Sequence, residues 1–457
     1  MSHYVSQPPN PLRHRWGILW LVGVAQLMLI VDVTVVAIAL PHIGDDLGLD
    51  RQALTWVVSG YTLAFGGLLL VGGRIVDLMG ARRVVLAALT AFVLASLAAG
   101  FADSGTVLLT ARVAQGVSAA FLSPAALSVV VTTFDGDERN RALGIWSALG
   151  GAGAALGALL GGLLAGGPGW PWMFFMNIPV GVVLVVALQR LLPRIPRGAA
   201  AGRIDVLGAV LVTAGTGLLT FALIRAGDAG WLDAVVLWCA SGAVVLYVAF
   251  TARQLTARVP LMQVRMLARR PVATGTALIA AATALMVMML FLGTFYLQED
   301  EGLGALVTGL LFLPVAVATM VGAQVAGRVL GKAGARALGT AGMLIAAVGM
   351  LVAALGGGVA VVVAGVSIAA AGTGVAFVVA SATALGVVAP EEAGIASGIV
   401  STFHEFGATI GAALVSSVAA ASILGAGDGG FGRGYLTAAV VALAVAVFVV
   451  VAAPRRP

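Results

Sequence analysis

Asp32, Arg112 and Glu405 are the residues of this sequence whose types and places could do chemistry, because each is ionisable and each stands inside a long apolar run. Asp32 lies in Val31-Asp32-Val33-Thr34-Val35-Val36-Ala37-Ile38-Ala39-Leu40-Pro41. If that run crosses a bilayer, the carboxylate costs on the order of 3 kcal/mol. One that persists either lines a polar cavity and carries protons, or is neutralised by a neighbouring arginine for packing alone. Arg112, in Ala111-Arg112-Val113-Ala114-Gln115-Gly116, is the one basic residue placed well inside such a run, at a depth comparable with Asp32. An arginine does not release its proton, but its charge favours an ionised carboxylate, so the two are suited to proton exchange; static pairing is the alternative. Glu405, in Thr402-Phe403-His404-Glu405-Phe406-Gly407, reads either as a titratable site near mid-membrane or as half of a His404/Glu405 pair at a helix boundary.

Positioning these groups takes helices that cross a membrane. Of 457 residues, 61% are hydrophobic and 10% charged, and the mean hydropathy is +1.08. Such a chain has too little polar surface to cover a soluble globule. Its apolar runs are about twenty residues long and too uniform for barrel strands, so the fold class is all-α, a polytopic membrane protein. Fourteen candidate spans fall near 16–40, 53–73, 84–101, 106–131, 142–165, 172–192, 204–224, 231–252, 271–297, 304–326, 337–356, 358–388, 394–424 and 435–453. The first run is too long for the core of a signal peptide and is expected to stay as a span.

Net charge is +6. With the N-terminus inside, one set of segments collects nineteen basic residues, from Arg13, Arg15 and Arg74 through Arg194, Arg197, Arg203 and Arg258 to Arg455 and Arg456. The other face has Arg51, Arg225 and Arg433 beside Asp45, Asp46, Asp50, Asp103, Glu299, Asp300 and Glu301. That asymmetry places both termini in the cytoplasm and makes the anionic leaflet, rather than nucleic acid, the partner of the positive charge. The single cysteine, Cys239, rules out an intramolecular disulfide and a Cys-based metal cluster. His3, His14, His42 and His404 are scattered, and neither a phosphate-cradling loop nor a nucleophile motif is present, so no cofactor, metal or enzymatic activity is expected. Met286, Met288 and Met289 offer either an adaptable ligand surface or packing. Trp16, Trp20, Trp56, Trp170 and Trp231 fit an aromatic belt.

Between the second and third runs stands Gly72-Gly73-Arg74-Ile75-Val76-Asp77-Leu78-Met79-Gly80-Ala81-Arg82-Arg83. Its glycines allow a tight turn, and Asp77 can pair with the arginines or with a helix N-terminus. The pattern recurs as Gly327-Arg328-Val329-Leu330-Gly331-Lys332-Ala333-Gly334-Ala335-Arg336, 254 residues on, and the same offset relates Gly144 to Gly398, Gly153 to Gly407 and Gly157 to Gly411. The chain therefore holds two related halves of six spans, with two unpartnered spans between them. In the fifth run Gly153, Gly157 and Gly161, followed by Gly162, share a helical ridge that on physical grounds reads as close helix packing.

The glycine-arginine-aspartate loop, its degenerate second copy and the 6 + 2 + 6 plan resemble the major facilitator superfamily, and within it the fourteen-span drug:proton antiporter family, over nearly the whole chain. The resemblance implies the major facilitator fold: a six-helix bundle over 1–195, two inserted transmembrane helices over 196–262 and a second six-helix bundle over 263–457. It also implies a multi-pass protein of a bacterial cytoplasmic membrane that exports hydrophobic drug or antibiotic compounds, cationic ones among the candidates, in exchange for protons. A monomer is expected. The first-run segment is similar to the family's D-x-T-x-x-N-V-A-L-P, with Ala37 for Asn. Arg112 matches the arginine that assists proton exchange, so Asp32, Arg112 and Glu405 become the proton-coupling candidates. Gly73, Arg74, Asp77, Gly80, Arg82 and Arg83 become the gating loop. Gly153, Gly157, Gly161 and Gly162 resemble the antiporter motif G-x-x-x-G-P-x-x-G-G, with Ala158 for its proline. Trp172 to Pro179 resembles the family's sixth-span entry, and at 404 and 405 the family usually has Arg and Gln. Alternatives are a proton-coupled importer of a small metabolite on the same fold and, further off, a polytopic membrane enzyme.

Overall fold

In hydrocarbon each backbone N–H and C=O must be satisfied within its own segment, and the chain answers with helices throughout. The computed structural model describes residues 14–49, 51–165, 167–193, 205–257, 260–423 and 430–453. The long helices are α1 (Arg15–Leu47), α2 (Arg51–Met79), α3 (Ala81–Gly100), α4 (Gly105–Thr133), α5 (Gly136–Ala165), α6 (Asn177–Leu191), α7 (Val206–Ala229), α8 (Ala234–Thr256), α9 (Arg270–Phe295), α10 (Leu313–Ala333), α11 (Ala335–Ala354), α12 (Val359–Leu385), α13 (Ala393–Ile423) and α14 (Gly430–Ala452). Short helices Pro171–Phe175 and Ala305–Leu311 lead into α6 and α10. Among the described residues, 13 helices are long and apolar enough to cross a membrane. The remaining helix of span length is α5, 30 residues long, whose first turn carries Asp137 and Glu138. Arg13, Arg194, Arg197, Arg203, Arg258, Arg455 and Arg456, and the boundary at 195, lie outside the described residues.

Two local expectations are corrected. The first helix does not stop at Pro41 but runs to Leu47, where Gly48 takes a left-handed φ of 61° and donates its N–H to the Gly44 carbonyl. The turn after α2 is not a charged loop: Asp77 is still helical, and the chain reverses at Gly80 alone, with φ 85°. A side chain would be strained in that conformation, which is why glycine stands there.

The six-helix halves repeat their packing. α2 lies on α4, α3 on α4, α1 on α5 and α3 on α6; in the second half α10 lies on α12, α11 on α12, α9 on α13 and α11 on α14. Small residues make these contacts close. A Cβ at Gly411 would lie 2.5 Å from the Ala284 carbonyl oxygen, and one at Gly407 would collide with the backbone of Ala280, so α13 rests on α9 backbone to backbone. Gly407→Leu is expected to separate them at a cost of about 1–3 kcal/mol. Gly217→Leu on α7, where a Cβ meets nothing within 4 Å, should change stability by less than about 0.5 kcal/mol. Thermal unfolding in detergent measures both.

Between the halves, α7 packs on α2 and α13, whereas α8 packs chiefly on α7. α8 turns Trp238, Val244, Val245 and Val248 outward, the surface a lipid-facing helix requires. The hairpin is tied to the chain entering α9. Asp205 accepts from Arg253 Nε at 3.2 Å and Gln254 Nε2 at 2.9 Å, while Gln254 Oε1 accepts the Leu261 and Met262 amides at 2.6 and 3.2 Å.

Candidate functional site

The structure brings Asp32 and Arg112 together at the centre of the first half. Arg112 Nη1 donates to Asp32 Oδ2 at 2.6 Å and to Gln115 Oε1 at 2.9 Å, and its Nε donates to the Val57 carbonyl at 3.3 Å. Asp32 Oδ1 accepts from Asn177 Nδ2 at 2.8 Å and from Gln115 Nε2 at 3.2 Å. Ser96 Oγ accepts from Gln115 at 2.8 Å and from Asn177 at 3.4 Å. Every group aimed at the carboxylate is a donor. Local sequence explains the convergence: Arg112 and Gln115 are three residues apart and share a face of α4, and the break at Met176 sets Asn177 as the first residue of α6. The Arg112 guanidinium lies over the Tyr61 ring, 4.4 Å from its centroid. Asp32, Asn177, Ser96, Arg112 and Gln115 are all at most 1% exposed. The Asn177 Oδ1 and the Tyr61 hydroxyl are buried without a hydrogen-bond partner.

A separate cavity of about 120 Å³ lies between the halves. The first half supplies Gln26 and Ile30 from α1, Phe65 from α2, Ser123 and Leu127 from α4, and Trp146, Ser147 and Gly150 from α5. The second supplies Ile279 and Met286 from α9, Phe377 and Ser381 from α12, and Val400, Ser401, His404 and Glu405 from α13. Glu405 is thus neither at a helix boundary nor beside Asp32; it faces the cavity, with His404 Nδ1 3.5 Å from its Oε1. The His404 ring lies 5.9 Å from that of Phe377. Ser123 and Ser401 bring their hydroxyls within 3.5 Å of each other across the halves. The methionines divide: Met286 lines the cavity, while Met288 and Met289 are core.

At the end of the bundle that carries Arg74 and Arg82, the halves meet backbone to backbone. A Cβ on Gly73 would lie 2.5 Å from the Gly394 carbonyl oxygen, and one on Gly398 would lie 2.8 Å from that of Leu69. The offset copies meet likewise, Gly327 against Asn140 and Gly144 against Ala323, each at 2.8–2.9 Å. Asp77 adds a lock: its carboxylate accepts the Gly394 N–H at 2.7 Å and the Ile395 N–H at 2.9 Å, the first amides of α13. Gly331, the copy of Asp77, has no carboxylate. The rest of the loop is not one device. Arg82 caps α6, donating to the Leu192 and Gln189 carbonyls at 3.0 and 2.8 Å, and its copy Arg336 donates to the Ala453 carbonyl beyond α14. Arg74 Nε is buried without a partner, and Arg83 is exposed.

The glycine ridge of α5 packs inside its own half. A Cβ at Gly153 would lie 2.8 Å from Ile30 Cγ2, and one at Gly157 2.6 Å from Thr34 Cβ, both on α1. Gly161 is buried on the same helix, followed by Gly162. Contact with the other half falls to Gly144 and to Leu159, whose backbone comes within 3.9 Å of a Cβ at Gly309. Trp170 is no belt residue: it is 4% exposed and donates its indole N–H to Asp46 at 2.8 Å.

Two related six-helix halves around an internal cavity, with an ion pair sealed in one of them, define a membrane transporter built on the major facilitator plan. The Major Facilitator Superfamily model matches residues 22–412, and the chain belongs to that family. Among curated relatives, the puromycin resistance protein of Streptomyces alboniger is 36% identical over 421 residues, 90% of this chain and 83% of that protein. The cephamycin export protein of Amycolatopsis lactamdurans is 36% identical over 440 residues, 93% of this chain and 89% of that one. The crystal structure of the human organic anion transporter MFSD10 superposes with a TM-score of 0.71 over 97% of this chain and 100% of that one, at 14% identity, a likeness of fold alone.

Proposed function

We propose that this chain is a proton-driven efflux transporter that exports hydrophobic, drug- or antibiotic-like compounds from a bacterial cytoplasm by rocking one half against the other. The observation that carries the reading is the cavity walled from both halves, beside a first half that seals a carboxylate and a guanidinium away from it. The export and resistance named for both bacterial relatives support the direction of transport. The cavity holds the substrate; Asp32 and Arg112 couple its passage to protons; Asp77 and the glycines around it close the cytoplasmic end. Each proton crossing about 100 mV supplies about 2.3 kcal/mol to drive export. On this reading α5 spans the membrane with the 13 other helices. The bundles occupy 1–195 and 263–457 around an inserted pair at 196–262, both termini are cytoplasmic, and the monomer is the working unit. The basic face rests on anionic lipid.

The test is growth of a pump-deficient bacterial host across a compound panel, with and without the gene, followed by accumulation in energised inverted vesicles. Raised tolerance, with accumulation that collapses when the proton gradient is dissipated, is the expected result. Unchanged tolerance across the panel and accumulation indifferent to the gradient would overturn it.

A further inference from the structure

The cavity wall is uneven in its chemistry. Glu405 is its one acid and His404 its one base among the lining residues, and no lysine or arginine lines it. Gln26 Oε1, on α1, is an acceptor buried without a hydrogen-bond partner in the same wall. Aromatic and aliphatic side chains, Trp146, Phe377 and Met286 among them, make up most of the remainder. A carboxylate and an unmatched acceptor set in apolar surface fit a cation with a lipophilic body. An anionic ligand would meet Glu405 with only the neighbouring imidazole to offset the repulsion.

The pairing inside the cavity adds exchange to this preference. His404 Nδ1 stands 3.5 Å from Glu405 Oε1, and the two side chains are 35% and 20% exposed, so both are within reach of a ligand. Other charged groups are occupied or distant. On α4 and α1, Arg112 and Asp32 are bonded to each other in the sealed network. From α2, Tyr61 senses the Glu405 charge but carries a phenol, which holds its proton through the neutral range. α5, α9 and α12 add no acid or base to the lining. Arg225 on α7 is paired with Asp233 at the far end of its helix, and Arg433 on α14 is exposed.

We infer that Glu405 and His404 form a cation-exchange site in this cavity, where a lipophilic organic cation takes the carboxylate from His404 and the displaced imidazolium passes its proton to water. The inference rests on the efflux reading of the cavity and names its substrate class. One positive charge enters as one proton leaves, so the cavity's charge is unchanged and the exchange avoids burying a second cation. Proton release falls as pH rises, because a neutral imidazole has no proton to give.

The experiment uses the full-length protein purified in detergent, with tetraphenylphosphonium as the cationic probe and N-phenyl-1-naphthylamine as the neutral one. Affinities are measured at about pH 6 and about pH 8, either side of the range in which imidazoles change charge, and protons are counted with a dye in weak buffer. Wild type is expected to release protons on binding the cation and none on binding the neutral probe. Glu405→Gln should weaken tetraphenylphosphonium about tenfold while shifting the neutral probe less than about twofold. Glu405→Asp should recover most of that loss. His404→Gln should raise cation affinity at the lower pH and abolish proton release, which packing alone would not do. Equal losses for both probes in Glu405→Gln, or proton release surviving in His404→Gln, would overturn the site while leaving efflux intact. Failure of wild type to bind either probe would overturn both readings.

Discussion

Asp32→Asn is expected to abolish proton-driven export while the protein still inserts and still exchanges substrate down its gradient. The substitution keeps the side chain's size and an acceptor for Asn177 or Gln115. It removes the group that can take up a proton, and it leaves the Arg112 guanidinium, 0% exposed, without its counter-ion. Breaking a buried pair from one side costs about 3–5 kcal/mol, because the remaining charge is uncompensated. Lost export could therefore reflect lost stability, and the second substitution separates the two. Asp32→Asn with Arg112→Gln restores neutrality, so thermal stability should return toward wild type while export stays absent. Uptake by energised inverted vesicles and unfolding in detergent are the measurements. Wild-type export by Asp32→Asn, or recovery of export by the double variant, would return the pair to static packing.

How much of this was legible depends on whether a feature follows from spacing along one helix or from meeting across several. The depth match of Asp32 and Arg112 follows from the fixed rise of a helix, and it identifies a real contact. Gln115 was within reach of the same logic, three residues beyond Arg112, and Asn177 stood inside a quoted motif. Ser96 had no signal, since nothing along the chain separates it from other serines in apolar runs. The cavity was invisible for a similar reason: its wall draws residues from α1, α2, α4, α5, α9, α12 and α13, and no periodicity in one helix reports such a meeting. Asp77 was correctly read as a partner for a helix N-terminus. Which helix it caps could not be read, because the acceptor's partners are the backbone amides of Gly394 and Ile395, and amides carry no residue code. The repeat gave Arg82 a counterpart in Arg336, but their shared work, closing the ends of α6 and α14, depends on carbonyls more than a hundred residues away.

Asp77→Asn is expected to slow export about tenfold and to leave equilibrium ligand affinity within about twofold of wild type. The carboxylate spans the halves with two hydrogen bonds to the first amides of α13, where the helix dipole also favours a negative charge. An asparagine offers one acceptor oxygen, so one of the two amides faces an NH₂ group and the charge is gone. Losing a charge-assisted bond costs about 1.5–3 kcal/mol, and each 1.4 kcal/mol is about a tenfold change in the balance between two conformations. Nothing on the pseudo-symmetric side compensates, since the copy of Asp77 is Gly331. The closed cytoplasmic end then forms less often, and the cycle waits on it. Affinity is spared because Asp77 does not line the cavity. Turnover in proteoliposomes, set beside equilibrium binding of the same probe in detergent, reads the two quantities separately. A large loss of binding with unchanged turnover of bound ligand would place Asp77 in recognition and remove it from gating.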